Sequence, residues 1–177
     1  MKKILLALSL MMACLVNVNA KGTYRGFVSI GPSFGHGVSL DFTTVHGYQF
    51  NKNWFAGIGV GLINSIRTET SNNFYLHYEE LSIPIFIKVR FDILSEKALT
   101  WFADANIGYA ILDDGFVAQP VYASTMIGLR QRLAERLGLN FGVGASLVPS
   151  SKLEAEYNWS GHRKTAFKFN VKLGVDF

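Results

Sequence analysis

From Tyr24 to the end of the chain, apolar and polar positions alternate with a period of two, in segments of about ten residues separated by Gly, Asn, Asp, Ser or charged breaks. Successive side chains of a strand point to opposite faces, so each segment reads as a β-strand with one apolar face. The last segment is the clearest. Phe167, Phe169, Val171, Leu173, Val175 and Phe177 alternate with Ala166, Lys168, Asn170, Lys172, Gly174 and Asp176. In the same way Ile83, Ile85, Ile87, Val89 and Phe91 oppose Ser82, Pro84, Phe86, Lys88, Arg90 and Asp92, and Leu139, Phe141, Val143, Ala145 and Leu147 oppose Gly138, Asn140, Gly142, Gly144 and Ser146. Val38 to Thr43, Ala56 to Leu62 and Phe102 to Tyr109 repeat the pattern. Weaker segments run from Tyr24 to Ile30, with Arg25, Phe27 and Ser29 on one face, and from Val117 to Leu129, with Ala118, Pro120, Tyr122, Ser124, Met126 and Gly128 on the polar or small face. Eight strands are predicted, and no linker divides them.

Connections are expected at Asn51-Lys52-Asn53, around Ser95-Glu96-Lys97 and near Arg132 to Arg136 on one side. On the other side, short ones fall near Pro32 to Gly37 and at Asp113-Asp114-Gly115, and longer ones at about Asn64 to Phe74 and Pro149 to Lys164.

What precedes the strands changes the setting. Lys2 and Lys3, an apolar stretch from Ile4 to Val16 and the small-residue site Val18-Asn19-Ala20 form a secretory signal peptide over residues 1–20, leaving 21–177 as the mature domain. Met11-Met12-Ala13-Cys14 also loosely matches a lipidation box, which would place the cut before Cys14 instead. After this segment no run of 18 apolar residues remains, so a helical membrane protein is excluded, although the mean hydropathy of +0.21 is high. Loss of Lys2 and Lys3 takes the formal charge from +4 to +2, which removes the compositional support for nucleic-acid binding. Cys14 is the sole cysteine, so after cleavage at Ala20 the chain has neither a disulfide nor a thiol nucleophile.

Alternation alone does not say which face meets water. The polar face is crowded with glycine (Gly57, Gly59, Gly61, Gly108, Gly128, Gly138, Gly142, Gly144 and Gly174), which suits the narrow interior of an eight-stranded barrel better than a solvated exterior. The charges assigned inward nearly balance: Arg25, Lys88, Arg90, Arg130, Lys168 and Lys172 against Asp41, Glu80, Asp92, Asp104 and Asp176. A balanced set fits an interlocked polar core, since an unpaired charge in a low-dielectric tube is costly; the competing reading puts some of these groups in water at strand ends. Tyr48, Phe50, Trp54 and Phe55, Phe91 and Trp101, and Phe74, Tyr75 and Tyr78 gather at strand ends, as interfacial girdles do.

On these features the chain resembles the small outer-membrane β-barrels of the OmpA/OmpX type, over its whole mature length. The resemblance rests on Gly47-Tyr48-Gln49-Phe50-Asn51-Lys52-Asn53-Trp54-Phe55 running into Gly57-Ile58-Gly59-Val60-Gly61, and on a last strand closing at Phe177. It implies an all-β, eight-stranded antiparallel up-and-down transmembrane barrel in the outer membrane, monomeric, in contact with outer-membrane lipid. It also implies that Phe169, Val171, Leu173, Val175 and Phe177 form the signal read by the barrel-assembly machinery. Short connections set the chain apart from relatives that act through long protruding loops. Some eight-stranded relatives modify lipid A, but no motif for deacylation or palmitoyl transfer occurs here; His77, Glu79 and Ser82 lie close in sequence with nothing to fix a catalytic geometry, so no enzyme is expected. No cofactor or metal site is expected either, with His36, His46, His77 and His162 scattered. The expected role is structural or surface-interactive, around a lumen filled by side chains. Two alternatives stand beside it: a small porin or hydrophobe conduit, open through the lumen or laterally near Pro84 or Pro120, and a soluble periplasmic barrel with Ile85, Ile87, Phe169 and Val171 turned inward.

Overall fold

The computed structural model describes residues 22–35, 37–71, 74–93, 98–112, 121–134, 137–150 and 164–177, with side chains left aside at 67–71, 74–78, 150 and 164. Eight strands form it: β1 (Thr23–Gly35), β2 (Gly37–Gln49), β3 (Trp54–Ser71), β4 (Phe74–Ile93), β5 (Leu99–Leu112), β6 (Val121–Arg132), β7 (Gly138–Ser150) and β8 (Lys164–Asp176). Each pairs antiparallel with the next, and β8 pairs with β1 to close the barrel. Paired residues trace one circuit from Ala56 through Val89, Ala105, Thr125, Ala145, Phe169, Phe34 and Val38 to Ile66. The circuit returns to β3 ten residues beyond its start, a shear of ten. Ten residues of about 3.3 Å against eight strand spacings of about 4.8 Å give a tilt of about 40°.

The apolar face points outward. Ile85, Ile87, Phe169 and Leu173 are exposed, whereas Arg90, Asp92, Lys168 and Asp176 are buried. Among the described residues the buried polar or charged side chains outnumber the buried apolar ones, the reverse of a soluble core. From Trp101 to Ile111 on β5 the outward positions are apolar, and at the tilt above these ten residues rise about 25 Å, the height of the hydrocarbon band on a membrane barrel. The soluble barrel with Ile85, Ile87 and Phe169 inside is thereby overturned.

Two expected connections are shorter than the sequence suggests. Pro32 to Gly35 belongs to β1, and β2 already begins at Gly37, whose φ of 95° suits glycine in this tight turn. Residues 64–71 belong to β3 and 74–81 to β4, so the expected long loop is a paired ribbon. The strand drawn from Val117 begins at Val121 as described and runs on to Arg132; Pro120 and the third loop lie outside the described residues, as does most of Pro149 to Lys164.

Glycine on the inner face makes room for large neighbours. Phe86 is opposed by Gly59 on β3 and by Gly108 on β5. A Cβ on Gly59 would lie 2.5 Å from the Phe86 ring, and one on Gly108 would lie 2.0 Å from the carbonyl oxygen of Ile85. The barrel can bend this tightly around a full-sized aromatic ring only where the adjacent strands carry no side chain.

Candidate functional site

The lumen is layered, beginning at the end where β1 starts and β8 finishes. There Asp176, 1% exposed, is the centre of a charge network. Arg130 donates from Nη2 to Asp176 Oδ2 at 2.6 Å and from Nε to Oδ1 at 2.9 Å, and Asn140 Nδ2 donates to Oδ1 at 2.7 Å. Arg25 reaches the same carboxylate at 3.0 Å and also donates through Nη1 to Gln49 Oε1 at 2.6 Å and Asp92 Oδ2 at 2.8 Å. Arg90 closes the ring with bonds to Asp92 Oδ1 (2.6 Å) and Asn140 Oδ1 (2.8 Å). Residues from β1, β2, β4, β6, β7 and β8 are thus tied across the tube.

Aromatic rings cover this network. The Phe27 and Phe55 centroids are 4.8 Å apart in an edge arrangement, and Phe86 and Tyr122 are 5.4 Å apart. The Arg90 guanidinium lies 3.8 Å from the Phe102 centroid and 5.0 Å from that of Phe27, and Arg25 lies 4.7 Å from Phe27. Cations therefore rest on π-faces as well as on carboxylates. Beyond the rings Lys88 Nζ donates to Asp104 Oδ2 at 2.5 Å, and Lys172 Nζ meets Asp41 Oδ2 at 3.2 Å, with Ser33 Oγ donating to Asp41 Oδ1. Lys168 Nζ donates to Ser39 Oγ and Ser65 Oγ. Nearer the far end, Ile63, Ala110, Leu112, Val148 and Ala166 are buried alongside Ser82 and Glu80.

All eleven charges assigned inward from sequence face the lumen. Arg25, Asp41, Lys88, Arg90, Asp92, Asp104, Arg130, Lys172 and Asp176 are joined by ion pairs, with Arg25 and Arg130 keeping a little exposure at the barrel mouth. Lys168 is held by hydroxyls, and Glu80 is buried near the far rim. Sequence reasoning did not anticipate the aromatic layer. Phe55, assigned to a girdle, is instead 1% exposed in the lumen; it is in phase with Gly57, Gly59 and Gly61, and that phase was the available signal. Val45 follows Asp41 and Thr43 inward in the same way.

Outside, Phe169, Leu173, Val175 and Phe177 lie exposed on the wall, with Val171 half-buried. Phe177 exchanges backbone hydrogen bonds with Gly26 (2.8 and 3.0 Å), and its ring lies over Gly26 and beside His46. His46 is exposed, as expected of an interfacial residue, and both ring nitrogens are engaged, Nδ1 with Tyr24 Oη and Nε2 with Thr44 Oγ1. Ser82 is buried in the lumen and Glu79 is exposed, so these two do not converge; the His77, Phe74, Tyr75 and Tyr78 side chains lie outside the described ones, as do His36 and His162. No lateral opening forms at Pro84, whose ring is buried and whose Cγ would lie 3.1 Å from a Cβ on Gly61.

Among the described residues the β3–β4 pair continues past its neighbours. The last partners of β3 on β2 and of β4 on β5 are Ile66 with Val38 and Ser82 with Leu112. Five further pairs, Arg67 with Tyr78 through Ser71 with Phe74, carry the ribbon on by about 16 Å along the strands.

The sequence matches no protein-family model, and no curated protein matches it. A solved structure shares the fold. Neisserial surface protein A superposes with a TM-score of 0.58 at 8% identity, covering 88% of this chain and 97% of that one. The N-terminal β-barrel domain of Pseudomonas aeruginosa OprF gives 0.43 at 10% identity, covering 89% and 100%. Outward apolar wall, inward charge network, eight strands and a shear of ten together make this chain a transmembrane β-barrel with the fold of Neisserial surface protein A.

Proposed function

We propose that the protein is a closed, non-conducting barrel of the outer membrane with a structural or surface-interactive role, and that the β3–β4 ribbon is its exterior contact element. The carrying observation is the filled lumen: charged and aromatic layers cross it, and the chamber among them leaves about 40 Å³ for the centres of water molecules. A hydrated ion would have to break several buried ion pairs to pass, which counts against a small porin. The intact wall at Pro84 counts against a lateral conduit there. With the ribbon outside, the start of β1, the end of β8 and the 50–53 turn lie on the periplasmic side. The protein acts as a monomer among outer-membrane lipids, without chemistry or a cofactor, and its last strand ending at Phe177 is offered to the barrel-assembly machinery before closure.

The test pairs electrophoresis of boiled and unboiled protein with single-channel recording in a planar bilayer. A mobility shift without steady current supports the closed barrel. Steady current in the intact protein would make it a pore, and solubility without detergent and without a shift would remove it from the membrane altogether.

A further inference from the structure

Among the lumen layers lies a small chamber whose walls include Lys88, Asp104, Asn106, Tyr122, Ser124 and Lys172. Two of its oxygens, Asp104 Oδ1 and Asn106 Oδ1, are buried without a hydrogen-bond partner. Both residues sit on β5 two positions apart, so they share the inner face. Their other polar atoms are committed: Asp104 Oδ2 accepts from Lys88, and Asn106 Nδ2 donates to Ser124 Oγ at 2.8 Å, itself 3.2 Å from Tyr122 Oη. A dry chamber would leave a carboxylate oxygen and an amide oxygen unmet in the interior, where such groups are otherwise paired.

The chemistry of the walls selects the occupant. Both open positions are acceptors, so the occupant has to donate, which excludes halide and other aprotic anions. Lys88, Arg90 and Lys172 border the space against the single carboxylate of Asp104, so a cation would enter a wall of net positive charge. An apolar group would satisfy neither oxygen. Water donates to both oxygens and can also accept from an ammonium; Lys172 carries three N–H donors and aims one at Asp41. At about 10–15 Å³ for a single site, 40 Å³ holds roughly two to four molecules. We infer that the chamber is a hydrated site in which resident waters join Asp104 and Asn106 on β5 to Lys172 on β8. The polar network is thereby continued between strands that are not neighbours in the barrel, and the site is too small for any larger ligand.

A crystal structure of the detergent-purified full chain, grown with bromide, tests the identity of the occupant. The expected result is solvent density within about 2.7–3.2 Å of both oxygens and no anomalous signal. Empty density, or an anomalous bromide peak in the chamber, overturns the assignment. In solution, oxygen-17 relaxation dispersion on the folded protein in micelles counts slowly exchanging waters. Asn106→Leu, which fills the space and removes one acceptor, is expected to lower that count by at least one and to abolish water cross-peaks at the amides of residues 104–106. An unchanged count in the folded variant refutes the proposal. Should the variant not fold, the same water cross-peaks in the unaltered protein decide, their absence counting against the site.

Discussion

Replacing Asp176 with Asn tests the charge network at its centre. The side chain keeps its shape, but one oxygen becomes an amide nitrogen that cannot accept, and the negative charge between Arg25 and Arg130 disappears. Whichever way the amide turns, an NH2 group then faces Arg130 and either Asn140 Nδ2 or Arg25, all of them donors. Hydrogen bonds to charged groups contribute about 1.5–3 kcal/mol each, and removing one partner of a buried pair costs about 3–5 kcal/mol. The side chains of Arg25 and Arg130 are 11% and 10% exposed at the barrel mouth, so water softens the loss and the lower end, about 3 kcal/mol, is expected. With an m-value near 2 kcal/mol/M, the urea midpoint of the micelle- or vesicle-folded barrel falls by about 1.5 M. Arg130→Met in the same background completes a double-mutant cycle. Removing the stranded guanidinium should recover part of the loss, with a coupling above about 1 kcal/mol. A midpoint shift corresponding to less than about 1 kcal/mol, or additivity of the two changes within about 0.5 kcal/mol, would refute the view that these residues act as one unit.

Further expectations follow from the walls and the packing. Ile107, 64% exposed on the outer face of β5, stands near mid-height of the apolar band; Ile107→Arg should destabilise the bilayer-folded barrel by about 2–4 kcal/mol, and a neutral result in vesicle unfolding would deny that this wall meets lipid. Gly108→Ala would place a methyl 2.0 Å from the Ile85 carbonyl oxygen, and is expected to lower folding yield and the temperature of the electrophoretic transition, whereas Ala105→Gly on the outer face of the same strand should cost about 1 kcal/mol or less. Phe27→Ala removes the ring that packs on Phe55 and carries Arg25 and Arg90; about 3–5 kcal/mol should be lost in urea unfolding, and an unaltered midpoint would mean that the aromatic layer contributes little.

The fold was legible because membrane and lumen impose opposite demands on alternate residues. Ile83 to Ile93 on β4 and Phe167 to Phe177 at β8 carry that demand almost without exception, so the number of strands and the two faces of each follow from the period, while glycine and balanced charge on the polar face turn that face inward. The reading failed where the demand stops. From Asn64 to Ser71 the strand leaves the hydrocarbon band and no lipid requires an apolar face, so the alternation fades, while backbone pairing continues and keeps β3 and β4 together. Phe55 shows a different limit. An aromatic residue beside a turn suits a girdle by position and a lumen by phase, and the phase of Gly57 and Gly59 decides, because a side chain cannot change faces without a one-residue shift of the whole strand.

Which charges meet across the lumen could not be read in this way, and the reason bears on what the charges do. Sliding one strand by two residues against its neighbour preserves every inward and outward assignment, so burial of apolar surface in lipid hardly distinguishes the two registers. The ion pairs do distinguish them. In the observed register Asp176 lies opposite Gly138 on β7 and within reach of Arg130 on β6, whereas Lys172 lies opposite Gly142, whose missing side chain leaves it space. Moving β8 by two residues along β7 would set Asp176 against Asn140 and Lys172 against Gly144, shifting the carboxylate by about 7 Å relative to Arg130 and breaking the lysine's contact with Asp41. Each misregistered closure buries unpaired charge at several kcal/mol per group. The lumen network therefore acts mainly through the registers it makes costly: lipid selects the faces, and the buried ion pairs select the shear of ten at which the barrel closes.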